Sequence, residues 1–119
     1  MNTYAAVTCA RAFKVRVRPG QEAAYEQYLQ DVVEPIDAIA HAADVFAHMH
    51  AMRPEDPGAD WSHARVFFFR DEAQRARFTE TMAQAAAQFD GSAAATAQRK
   101  ARADTLRETV GTSNYRVSG

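Results

Sequence analysis

The chain has 119 residues, one domain's worth of polypeptide, and its 47% hydrophobic and 24% charged residues are those of a folded globular protein. A formal net charge of −1 speaks against binding nucleic acid or an anionic membrane surface, and no apolar run approaches the roughly 20 residues of a membrane span. The single cysteine, Cys9, excludes an intrachain disulfide and a cysteine-based zinc site, and the start of the chain lacks a signal-peptide pattern, so a cytoplasmic protein is expected.

Taken in chain order, Phe13 to Arg18 alternates apolar and basic residues and predicts a strand, closed by the turn Pro19-Gly20. Tyr4 to Ala10 either extends that strand or frays. From Gln21 the period becomes helical, with Tyr25, Tyr28, Leu29, Val32, Ile36 and Ile39 on one side. Pro35 lacks an N–H, so a kink or a fresh helix start is expected there. Asp44 to Met52 alternates again, and Ser62 to Arg70 is the strongest strand signal. Asp71, with Gln74 three residues on, reads as the N-cap of a helix that carries Phe78, Met82 and Phe89 and stops at Gly91. Ser92 then caps a last helix running to about Val110, and Asn114 to Val117 is a short closing strand.

The order is β-α-β-β-α-β with an extra helix before the last strand. It predicts one α+β domain over residues 1–119, a ferredoxin-like split βαβ with helices on one face of a four-stranded antiparallel sheet. Both sides of the third strand are apolar, since Phe67 and Phe69 alternate with Val66 and Phe68. A sheet with one wet face does not need that. A homodimer is therefore expected, closing an aromatic cavity on the open face that suits a small molecule.

Three stretches carry a resemblance. Val15-Arg16-Val17-Arg18-Pro19-Gly20-Gln21-Glu22, the helix and strand that follow, and Phe67-Phe68-Phe69-Arg70-Asp71-Glu72-Ala73 together resemble the dimeric α+β barrel superfamily. Within it they are most similar to the antibiotic biosynthesis monooxygenase family. The resemblance covers roughly Phe13 to Met82. It implies a dimeric barrel and a cofactor-independent enzyme that oxidises or cyclises an aromatic or polyketide-like molecule. Members commonly carry a Glu and a Trp where this chain has Phe67 and Phe69. Haem-degrading relatives bind iron through a histidine where it has Phe78, which counts against haem.

The polar candidates follow from side-chain chemistry. His48 and His50 share one side of a strand about 7 Å apart, and His63 can join them if the neighbouring strand registers suitably. Imidazole titrates near neutral pH, so these three are the base candidates. Arg65 and Arg16 are the oxyanion partners. Phe46, Phe67 and Phe69, with Met52 and Trp61, form the binding wall. Tyr25 and Tyr28 are read as core, and Glu34, Asp37 and His41 as a solvated helix face. No cofactor or metal is assigned, although His48 and His50 with a third ligand offer a metal-dependent alternative. A non-catalytic ligand-binding dimer is the other alternative. No phosphate loop, dinucleotide fingerprint or serine–histidine–acid order is present.

Overall fold

In the computed structural model, which describes residues 7–118, four strands form one sheet in the order β2-β3-β1-β4, every neighbouring pair antiparallel. The strands are β1 (Cys9–Val17), β2 (His48–Met52), β3 (His63–Phe69) and β4 (Arg107–Arg116). The helices α1 (Glu22–Tyr28), α2 (Glu34–Ala42), α3 (Glu72–Ala76), α4 (Phe78–Asp90) and α5 (Ala93–Leu106) are the remaining regular elements. Of the undecided segment Tyr4 to Ala10, Cys9 and Ala10 belong to β1, and Tyr4 to Ala6 lie outside the described residues.

Pro35 does not break the chain's helical path. A wide π-helical turn, Leu29–Val33, joins α1 to α2, and the Glu34 N–H donates to the Leu29 carbonyl five residues back. Pro35 then sits in the first turn of α2, where its missing N–H costs least. An uninterrupted α-helix would press the proline ring against the carbonyl of residue 31; widening the turn relieves that contact.

Downstream, the Asp71 carboxylate accepts from the Gln74 N–H at 2.8 Å, so the expected N-cap is formed. The Gln74 amide reaches further, accepting from the Arg70 N–H and donating to the Asp44 carbonyl. It thereby ties this cap to Asp44, which turns the chain into β2 with φ of 62°. That turn is why β2 begins at His48 and not at Asp44: Val45 and Phe46 go into the core as a connector.

The last helix is shorter than its sequence suggests. It ends at Leu106, and residues 107–110 join β4 against Val15 to Val17. Thr109 and Val110 are β-branched, and a free edge of β1 was available to pair with them; tertiary pairing overrides the helical run. The register shifts between Lys14 and Val15, leaving Val110 as the extra residue of a bulge before Gly111.

The register settles which side of β3 faces the helices. Phe67 and Phe69 pair with Arg11 and Cys9, and His63 and Arg65 with Val15 and Phe13; this side lies under the helices. Val66 and Phe68 share the opposite, uncovered side with His48, His50 and Met52 of β2. Two apolar clusters hold the helices down. One gathers Phe46, Phe67, Phe69, Phe78 and Cys9; the other gathers Val17, Tyr25, Tyr28, Ala103 and Leu106.

Candidate functional site

Between those two clusters the helices do not close fully on the sheet. A cavity of about 280 Å³ remains, bounded by Phe13 and Val15 of β1, Tyr25 and Tyr28 of α1, Ile36 of α2 and Met82 of α4. It continues past Phe67 and Phe78 into a second space of about 390 Å³. The enclosing surface is chiefly aromatic and aliphatic, the lining typical of small-molecule sites. The cavity therefore lies within one protomer, on the helix side of the sheet. What is corrected is the face of the aromatic residues: Phe67 and Phe69 turn to the helices and not to the open side with His48 and His50, because a sheet apolar on both sides gives no sign of which side the helices take.

Asp37 of α2 and Arg65 of β3 meet as an ion pair in the wall of both spaces. Their side chains are only 12% and 17% exposed, and the contacting atoms, Oδ2 and Nη2, have no other partner among the described residues. Burial pulls the Arg65 guanidinium below its ordinary range, opposed by attraction to Tyr25 and Glu34. Asp37, expected on a solvated helix face with Glu34 and His41, still borders a groove with them but is largely buried against Arg65.

Two further arginines border the cavity. Arg99 of α5 donates its Nε to the carboxylate of Asp90 at 3.0 Å, and the Thr96 hydroxyl donates to the same group. Arg107, the first residue of β4, has Asp104 at 3.6 Å. Tyr25 is buried, stacked on Tyr28 and edge-on to the His63 ring at 5.0 Å. Burial raises its phenol above the usual range, while Arg107 and then Arg65 pull it back down.

The other expected residues are dispersed. His63 lies beside the cavity with both ring nitrogens engaged, Nδ1 at 2.9 Å from the Ser62 hydroxyl and Nε2 at 3.0 Å from the Glu26 carboxylate. The hydrogen bond from His63 is the first reason the Glu26 carboxyl is held below its ordinary value; Arg53 adds to it. His48 and His50 project from the opposite side of the sheet, and the His50 ring packs edge-on against Phe68. At the free edge of β2 they border an open groove of about 420 Å³ with Glu34 and His41. They are not brought together with His63, because β2 and β3 register with His50 opposite Val66. Among the described residues no group of three or more His, Cys, Asp or Glu is placed to hold a metal ion.

Arg16 is exposed outside the cavity, donating to the Asp60 carbonyl at 2.7 Å and facing Glu108. Trp61 packs under the Lys14 ammonium, and Met52 is exposed on the uncovered sheet face. Phe69 is sealed in the core, Phe46 is buried but borders the groove beside His48 and His50, and Phe67 reaches the cavity wall.

No family model matches the chain, and no curated protein matches it significantly. Solved structures do. The chain superposes on HapK from Hahella chejuensis with a TM-score of 0.59 and 17% identity, over 93% of each chain. A dimeric ferredoxin-like protein from an uncultured marine organism gives 0.57 at 12% identity, over 99% of this chain and 94% of that one. A dabb family protein with a ferredoxin-like fold from Mesorhizobium loti gives 0.56 at 12% identity, over 95% and 97%. The chain has the ferredoxin-like α+β fold. This is the architecture expected from its element order, and at these identities the likeness concerns the fold alone. No helix among the described residues is long and apolar enough to cross a membrane.

The buried pair makes a stability prediction. Arg65→Met strands the Asp37 carboxylate and should cost about 3–5 kcal/mol in denaturant unfolding. The double variant Asp37→Leu/Arg65→Met should regain most of it, because both charges are then gone. Additive losses in the double variant would contradict the pairing.

Proposed function

We propose that the chain is a homodimeric enzyme that holds a flat aromatic or polyketide-like molecule in this cavity and promotes its oxidation or cyclisation. The observation that carries this reading is the placement of two buried, opposite charges, Asp37 and Arg65, in the wall of an otherwise apolar space. Such a pair contributes little net stability compared with apolar residues of similar size, so its presence at a cavity favours a chemical role.

The chemistry follows from the two groups. A phenol or β-dicarbonyl seated on Phe13 and Met82 gives its acidic proton to the Asp37 carboxylate. The Arg65 guanidinium receives the phenolate or enolate oxygen so formed. The electron-rich carbon then attacks a carbonyl of the same molecule, closing a ring as the new alkoxide takes the proton back from Asp37, or it is oxidised by dioxygen to a hydroperoxide, which loses water to leave a new carbonyl. The base is thus Asp37 in place of the three histidines. His63 and Glu26 brace the wall behind Tyr25, and His48 and His50 belong to the sheet's other face. The resemblance of roughly Phe13 to Met82 to the antibiotic biosynthesis monooxygenase family, whose wider superfamily includes cyclases, is compatible with both branches.

A second copy is read from the uncovered face. Val66, Phe68 and the exposed Met52 present apolar surface on it, and the marine neighbour is described as dimeric. Pairing two such sheets face to face would bury on the order of 1,000 Å² or more, enough for a stable dimer. Phe68 replaces Phe67 as the residue expected at the seam, since Phe67 faces the helices.

Two experiments test these claims. With naphthols and β-diketones as trial substrates, and product followed by mass, Asp37→Asn should lower turnover per folded molecule by about 10²–10⁴-fold, the folded fraction being measured because the variant leaves Arg65 without its carboxylate. Met82→Trp should fill the cavity and abolish binding. Unchanged turnover in the first variant, or unchanged binding in the second, would overturn the assignment. For assembly, light scattering should show a dimer at micromolar concentration and a monomer for Phe68→Asp, which would place a charge in the seam. A monomeric wild type would contradict the dimer.

A further inference from the structure

The three arginines that border the cavity are not equally matched. Arg65 faces Asp37, and both are largely buried. Arg99 faces Asp90, whose side chain is 3% exposed. Arg107 has only Asp104, 3.6 Å away and 78% exposed, a partner whose attraction water largely screens. Glu34 attracts Arg65 from outside the cavity lining, and the Lys14 ammonium is directed to Trp61. Among the described residues Arg107 is therefore the one arginine of the lining that no buried carboxylate answers.

That charge has a neutral companion. Tyr25 is held in the wall by the Tyr28 and His63 rings, and its phenol feels Arg107 before any other charged group. A phenol held protonated by burial is a hydrogen-bond donor, and a guanidinium beside it supplies fixed charge. Both groups border the same 280 Å³ space, with Phe13, Val15, Ile36 and Met82 completing an apolar bed.

We propose that Arg107 and Tyr25 form an anion subsite that selects ligands bearing a carboxylate or a second ionised oxygen on a flat apolar body. The inference rests on the cavity reading of the preceding section and narrows it: the substrate is an organic acid. Arg65, already answered by Asp37, is left for the oxygen that becomes charged during the reaction. The anchoring oxygen, charged from the outset, goes to Arg107. The subsite fixes orientation by binding one end of the molecule and so places the reactive carbon at Asp37.

The test compares isosteres. Binding of 2-naphthoate and of neutral 2-naphthamide to the full chain is measured by calorimetry. The wild type should prefer the acid by about 10–100-fold, the scale of a charge-assisted hydrogen bond. Arg107→Gln should bring that preference close to one while leaving naphthamide binding intact, and Arg107→Lys should restore part of it. Tyr25→Phe should weaken naphthoate more than naphthamide. Equal binding of acid and amide by the wild type would overturn the subsite and leave the cavity reading standing. Failure of both to bind would overturn the cavity reading and the subsite with it. A preference that survives Arg107→Gln would also overturn it, whether or not other variants fold.

Discussion

Arg65 lies under the helix layer, where a guanidinium is tolerated only if a carboxylate meets it, and Asp37 is that carboxylate. The meeting depends on the π-helical turn between α1 and α2. Tyr25 and Asp37 are twelve positions apart; at about 100° per residue a straight α-helix would set them roughly 120° apart around the axis. The wide turn absorbs one extra residue and brings the two to within about 20° of each other. Pro35, by forbidding the ordinary hydrogen bond, thus determines which face of α2 looks at the sheet. The buried pair and the approach of Ile36 to the cavity follow from that rotation.

Glu34, Asp37 and His41 share one side of α2 and border one groove, as their spacing predicts; what the sequence concealed is the tertiary contact that sets Asp37 against Arg65. The break at Pro35 was legible; its width was not, since a kink, a restart and a π-turn share the same signature. The order of elements, the Asp71 cap and the punctuation at Gly91 were legible from local chemistry alone. The orientation of β3 was not. Phe67, Phe68 and Phe69 are consecutive and equally apolar, so alternation cannot tell the helix side from the open side. Arg107 was hidden for another reason: it closes an alanine-rich helical run, and only pairing with Val17 pulls it into β4.

Phe67, Phe69 and Phe78 pack on one another under the helices. Phe67 and Phe78 lie 4.9 Å apart between ring centroids, and Phe69 and Phe78 lie 5.4 Å apart. That aromatic block fills one end of the helix–sheet interface and confines polar chemistry to the other, where Asp37, Arg65, Tyr25 and Arg107 lie. The layers are kept by the apolar clusters and not by these polar groups, on a fold shared with structures of 12–17% identity.

The most direct test of the site's location uses the methionine methyl groups as reporters. Met82 borders the cavity, whereas Met52 is exposed on the opposite face of the sheet. In the protein carrying ¹³C-methyl methionine, titration with 2-naphthoate should shift the Met82 resonance saturably and leave that of Met52 in place. A saturable shift of Met52 with Met82 unmoved would put the ligand on the open face and contradict a site between the helices and the sheet.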